Sequence, residues 1–161
     1  MADCLVVNAS PLILFSRIDR LDLFAQIATS VVVPEAVLRE VEVGSARDQA
    51  VLRVREMSNL ARAADRQLGT NIVSWDLGAG ESQVLAHGLS RPGAQVVLDD
   101  LAARRCARSL ALPMMGSLGV VLLCRQRGIL TAARPWVDAL CGAGLRLASS
   151  LKDQALAKVG E

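Results

Sequence analysis

The sequence predicts an α/β domain built on a parallel sheet with helices covering both faces. Three observations carry this. Short β-branched apolar runs recur, at Leu5-Val6-Val7, Val31-Val32-Val33 and Val96-Val97-Leu98. They are continuous rather than alternating, as strands buried on both faces require. Helical patterns lie between them, and alternation of strand and helix points to a parallel sheet. The chain has 161 residues, which fits one domain spanning residues 1–161. Apolar residues make up 52% and aromatics only 2%, so Ala, Val, Leu and Ile must fill the core.

Along the chain, Asn8-Ala9-Ser10-Pro11 breaks the first strand. Asn and Ser are good N-caps and Pro suits a first helical turn, so a helix is expected over residues 11–17. A short helical piece begins at Leu21-Asp22-Leu23-Phe24. Pro34 stops the second strand and opens a helix with Val37, Leu38 and Val41 on its inner face. An Arg- and Ala-rich helical pattern follows over residues 46–68, ended by Gly69. Ile72-Val73-Ser74-Trp75 reads as an extended edge piece. Gly78-Ala79-Gly80 leads into a helix carrying Glu81, Val84, Leu85 and Leu89, and Arg91-Pro92-Gly93 is a turn. After the strand at Val96-Val97-Leu98 come Asp99-Asp100, a helix over 102–110, a short strand at 112–115, and a helix starting at Gly116-Ser117. Two more helices are expected, over 135–141 and 149–159.

The net charge of +2 does not by itself mark a nucleic-acid binder. Arg far outnumbers Lys, which occurs only at Lys152 and Lys158. Phosphate recognition favours Arg, but a GC-rich genome also accounts for it. The four cysteines form no C-x-x-C pair and there is one histidine, an inventory that argues against zinc. No signal peptide or membrane-spanning run is visible. A cytoplasmic protein with no membrane association is expected.

In parallel sheets, sites form where strands end and loops begin. That rule points to Asn8 through Ser10 and to Asp99-Asp100. Adjacent carboxylates at a buried strand end repel each other, and a divalent cation removes the penalty. The plain alternative is a helix cap with a solvated neighbour. Glu81 lies three and four residues before Val84 and Leu85, so it leans toward their inward face. The alternative for Glu81 is a favourable acid in a helix's first turn. Glu40 flanks the apolar stripe of Val37 and Val41, while Glu35 and Glu42 read as ordinary solvated acids. Ser10 is placed to bond a carboxylate or to cap a helix. His87 reads as a helix C-terminal residue, not a catalyst. Neither Gly-Ala-Gly stretch matches a nucleotide-binding pattern.

Taken in order, Val6-Val7-Asn8-Ala9-Ser10-Pro11-Leu12-Ile13, Val33-Pro34-Glu35-Ala36-Val37-Leu38-Arg39-Glu40, Leu77-Gly78-Ala79-Gly80-Glu81-Ser82-Gln83-Val84-Leu85-Ala86, Val97-Leu98-Asp99-Asp100-Leu101-Ala102-Ala103-Arg104 and Gly116-Ser117-Leu118-Gly119-Val120 resemble the PIN-domain superfamily. More narrowly they are similar to the VapC-like branch known as DUF3368, over nearly the whole chain. The resemblance implies a three-layer α/β/α sandwich with a central parallel sheet. It also implies metal-dependent endoribonuclease chemistry with Mg²⁺ or Mn²⁺, often as the toxin of a toxin–antitoxin pair. By position, Glu40, Glu81, Asp99 and Asp100 are its catalytic acids. Glu40, Glu81, Asp100 and Asn8 are its metal ligands, with Ser10 in support. Its partners would be RNA, a small antitoxin protein and a second copy of the chain.

One position departs from the pattern. PIN domains usually carry Asp after the first strand, where this chain has Asn8. An amide still offers a carbonyl oxygen, but it brings no charge to a hard cation. Two alternatives follow from different classes: a catalytically degenerate PIN-like module that binds RNA or a protein, and a receiver-like phosphoryl-transfer domain. The second expects its acid pair after the first strand, where Cys4-Leu5-Val6-Val7-Asn8 stands instead. Arg104 and Arg17 are candidates for holding phosphates, and Leu21, Leu23 and Phe24 for an apolar dimer surface.

Overall fold

The structure is a computed structural model that describes residues 2–44 and 49–161. Its strands are β1 (Ala2–Val7), β2 (Ala28–Pro34), β3 (Leu60–Ala63), β4 (Gln95–Val97) and β5 (Met114–Met115). The helices are α1 (Ala9–Arg17), α2 (Asp22–Ile27), α3 (Glu35–Gly44), α4 (Ala50–Arg55), α5 (Thr70–Val73), α6 (Ala79–Leu89), α7 (Leu101–Ser109), α8 (Ser117–Gln126), α9 (Arg134–Ala143) and α10 (Ser149–Ala157). All pairings are parallel, in the order β3-β2-β1-β4-β5. Helices cover both faces, giving the expected α/β/α arrangement.

The continuous apolar runs become the central strands because both faces are buried. Leu5, Val6, Val7, Val31, Val33, Val96 and Val97 have no exposed surface. Removing each such side chain from water contributes about 1.5–3 kcal/mol. The chain's two phenylalanines, Phe15 and Phe24, meet edge to face with centroids 4.9 Å apart. Leu23 and Phe24 are fully buried, so they are core and not the dimer surface suggested by their position.

Two segments depart from expectation. The stretch read as one helix over 46–68 includes residues 46–48, which lie outside the described residues. The remainder holds only the short α4 and then β3. Leu-Ala-Arg-Ala has good helix propensity, but pairing along β2, from Val31↔Leu60 to Pro34↔Ala63, overrides it. Of the stretch 72–75, read as extended, Ile72 and Val73 close α5 and Ser74-Trp75 form the turn after it; Val73 N–H bonds Gly69 O at 3.0 Å. Burying Ile72 alone in that segment favours a single helical turn over an edge strand.

The strand order positions the site. From β1 the chain steps to β2 on one side, and later to β4 on the other. A crevice opens at the carboxyl ends where the order reverses. Asn8 after β1, α3 after β2, and Asp99-Asp100 after β4 all meet that edge.

Candidate metal centre at the strand ends

Asn8 is held from both sides by its backbone. Its N–H bonds Val97 O at 3.1 Å, and its carbonyl receives Leu12 N–H at 3.4 Å. It occupies the N-cap position of α1, yet its side chain makes no capping bond. Instead Nδ2 donates to Glu81 Oε1 at 3.1 Å. The opposite amide orientation would set two oxygens against each other, so the NH₂ faces the carboxylate. That leaves Oδ1 buried with no partner, in a residue only 2% exposed. An unsatisfied buried carbonyl costs about 1–3 kcal/mol, so it demands a reason.

The neighbouring glycine supplies one. Gly80 N–H donates to Glu40 Oε1 at 2.8 Å. A Cβ at position 80 would collide with Glu40 Oε2 and stand 3.0 Å from Asn8 Oδ1. The orphaned oxygen and the second Glu40 oxygen therefore border one notch, which glycine keeps open. Gly78 has a parallel role, since a Cβ there would strike Glu81 Oε2. Both glycines of Gly78-Ala79-Gly80 make room for carboxylates, not for a nucleotide.

Asp99 and Asp100 have a different environment. Asp100 caps α7, with Oδ1 accepting from Ala103 N–H at 2.8 Å. Asp99 reaches the start of α8, accepting from Ser117 N–H at 2.7 Å and from Ser117 Oγ at 2.6 Å. Each acid thus meets its own helix N-terminus, where partial positive charge favours it. The repulsion expected between the pair is offset by two helix ends without an ion.

Asn8, Ser10, Glu81, Asp99, Asp100 and Arg104 line one cleft of about 770 Å³. Glu40 lines an adjoining cavity of about 390 Å³, which shares Asn8, Ser10 and Glu81 and adds Arg17. Ser10 is exposed and its hydroxyl bonds no carboxylate among the described residues. Arg104 Nη1 is taken by Leu98 O at 3.0 Å, and Arg17 Nη1 by Ala143 O at 3.1 Å. Sequence reasoning missed Arg146 and Lys158, which line the larger cleft and are exposed. They come from the loop after α9 and the end of α10, far from any strand end, so no local signal marked them.

Glu35 pairs with Arg62 at 2.9 Å and is not simply solvated, whereas Glu42 is exposed. His87, in the last turn of α6, bonds Ala64 O through Nε2 at 3.0 Å. Its Nδ1 meets Arg91 Nη1 at 2.6 Å. Burial, and then the Arg91 charge, hold its pKa below the ordinary value. Burial pushes the Cys124 thiol up to about 11 and raises Cys4 and Cys106, which disfavours thiolate chemistry.

The donors at the Gly80 notch are all oxygen: the Glu40 carboxylate and the orphaned Asn8 carbonyl, with the Glu81 carboxylate hydrogen-bonded to the same amide. That composition fits a hard divalent cation. Among the described residues, no three His, Cys, Asp or Glu stand close enough to hold an ion by themselves. A cation here therefore needs the Asn8 carbonyl beside Glu40 and Glu81. The protein is of the class in which a parallel sheet opens into an acid-lined cleft at its strand ends. It belongs to the PIN-domain family DUF3368, whose family model, described as PIN domain, matches residues 4–161. PIN domains generally have a nuclease-like fold and use divalent metal ions. A comparison with curated proteins gave no match. Among the described residues, no helix is long and apolar enough to cross a membrane.

Proposed function

We propose that the protein is a Mg²⁺- or Mn²⁺-dependent endoribonuclease, of the VapC-like kind that acts as the toxin of a toxin–antitoxin pair. The observation that carries this reading is the orphaned Oδ1 of Asn8, buried beside Glu40 and Glu81 in a cleft that also bears cationic side chains. Glu40, Glu81 and Asn8 would hold the ion. When bound, such an ion acidifies water and offsets charge growing on a scissile phosphate.

The chain's own residues do the rest. Asp99 and Asp100 form the opposite wall, set rigidly by the ends of α7 and α8. Arg146 and Lys158, which line the cleft, would hold backbone phosphates. With few aromatics in the chain, base stacking contributes little to RNA affinity. An antitoxin covering the cleft and a homodimer follow from the same family reading; Leu23 and Phe24 cannot supply the dimer contact.

The test is cleavage of single-stranded RNA with Mn²⁺. The wild type should cleave, and Glu81→Gln should lose at least ~100-fold, on the scale of losing a principal electrostatic contact. Asp100→Asn measures the opposite wall's share, and equal rates would remove Asp100 from the chemistry. An inactive wild type, or an unimpaired E81Q, overturns the reading. The Asn8–Glu81 hydrogen bond favours a second reading, a degenerate module that binds RNA or protein without a metal. Calorimetric titration showing no Mn²⁺ binding at millimolar concentration would select it.

A further inference from the structure

We propose that Asn8 acts as an internal substitute for a cation at Glu81: its amide NH₂ keeps the acidic site assembled without metal, and its Oδ1 leaves a single ion position on the Glu40 side of the notch. The inference shares only the site with the nuclease reading and does not depend on cleavage.

Charge at this site is unevenly balanced. Glu40 and Glu81 both belong to one helix end: Glu40 accepts from Gly80 N–H, and Glu81 lies in the first turn of α6. One helix N-terminus offers about half a positive charge, which cannot balance two carboxylates. Asn8 supplies what is missing. Its Nδ2 carries partial positive charge to Glu81 at 3.1 Å, and it does so instead of capping α1. A carboxylate at position 8 would present an oxygen to Glu81 at the same place. Two like charges in contact at a buried position need a counter-ion between them.

Asn8 also has a second end. Because Nδ2 is committed to Glu81, Oδ1 is fixed on the side of Glu40 Oε2, where Gly80 leaves room. The amide therefore partitions the acids. Glu81 Oε1 is satisfied within the protein, and Glu40 with Oδ1 remains open to one cation, which Glu81 would reach only through Oε2. Such a site is assembled when empty and binds its ion weakly.

Thermal unfolding in EDTA and in millimolar Mn²⁺ tests this without any RNA. Wild-type Tm should barely differ between the two conditions. Asn8→Asp should lower Tm in EDTA by roughly 4–8 °C and recover with Mn²⁺. The double variant N8D/E81Q reverses the polarity of the pair, with the amide at position 81 now donating to the carboxylate at position 8. It should regain the wild-type Tm in EDTA, which distinguishes the pairing from a general intolerance of change at position 8. Mn²⁺ titration should show N8D binding roughly tenfold tighter than wild type. The proposal is overturned if N8D is as stable as wild type in EDTA, if N8D/E81Q fails to recover, or if wild-type stability depends on Mn²⁺ as strongly as that of N8D. Wild-type protein that cleaves no RNA yet shows this pattern would sink the nuclease reading alone.

Discussion

The two acid pairs, one walling the larger cleft and one where it adjoins the smaller cavity, carry equal formal charge and differ in how it is balanced. On one wall, Asp99 and Asp100 each take a separate helix N-terminus, α8 and α7. On the other, Glu40 and Glu81 share α6, and a neutral amide makes up part of the difference. With about half a charge per helix end, the Asp wall is the better compensated by roughly half a unit. The unsatisfied oxygen lies on the Glu wall. Acidic clusters that look alike in sequence can therefore be complete structures or incomplete ones. Counting helix ends and orphaned atoms distinguishes them.

The strongest way to break this comparison is Asp99→Ala. Ser117 has no exposed surface, and it would lose partners for both its N–H and its hydroxyl. A loss of about 2–3 kcal/mol is expected, read as a fall in denaturant midpoint with unchanged slope. Unchanged stability would mean that Asp99 is not held as described. On the Glu wall, Gly80→Ala should do the opposite. Alanine favours the helix, so the fold should be retained, but its Cβ must displace Glu40 and fill the notch. Mn²⁺ affinity should fall at least ~10-fold, about 1.4 kcal/mol, as measured by titration calorimetry. Equal affinity would move the ion away from the notch. Asp100→Asn sharpens the contrast, because Asn caps helices nearly as well as Asp. Its unfolding free energy should change by less than about 0.5 kcal/mol.

Much of this cleft was legible in the residues. Val7-Asn8, Val97-Leu98-Asp99 and the acid edge of α3 stand at strand ends or just past them, and continuous β-branched runs make those ends visible. The allotment of partners was not legible. Asp99 finds Ser117 at a sequence separation of 18, and Asn8 finds Glu81 at a separation of 73. Such pairs exist only once the sheet order is fixed. Likewise β3 looked helical because an edge strand is specified by its neighbour more than by its own composition. Glu161 shows the same effect at the end of the chain. Its carboxylate takes Ala133 N–H at 2.7 Å and Arg134 N–H at 2.9 Å, capping α9 where no local residue does so. Those N–H groups hold its carboxyl below the usual range.

The smallest expected effect concerns the far end of α6. While its N-terminus gathers charge, its C-terminal part must stay neutral. Gln83 bonds both the N–H and the carbonyl of Arg66, at 2.8 and 2.9 Å, and His87 bonds Ala64 O. Together they pin the extended segment after β3 against the helix. Protonating His87 would bury a cation beside Arg91. Its folded pKa lies below the ordinary value near 6.5, so the unfolded chain takes up its proton first as pH falls. This part of the stability is complete above the unfolded pKa and is lost as pH falls from there through the folded value. Thermal unfolding between pH 8 and pH 5 should show a gentle decline in Tm on the acid side. His87→Gln, which cannot titrate, should flatten that decline while lowering Tm at every pH. A wild-type Tm that rises on acidification over this range would show that the imidazole is charged in the folded protein, and that α6 is not divided into a charged end and a neutral one.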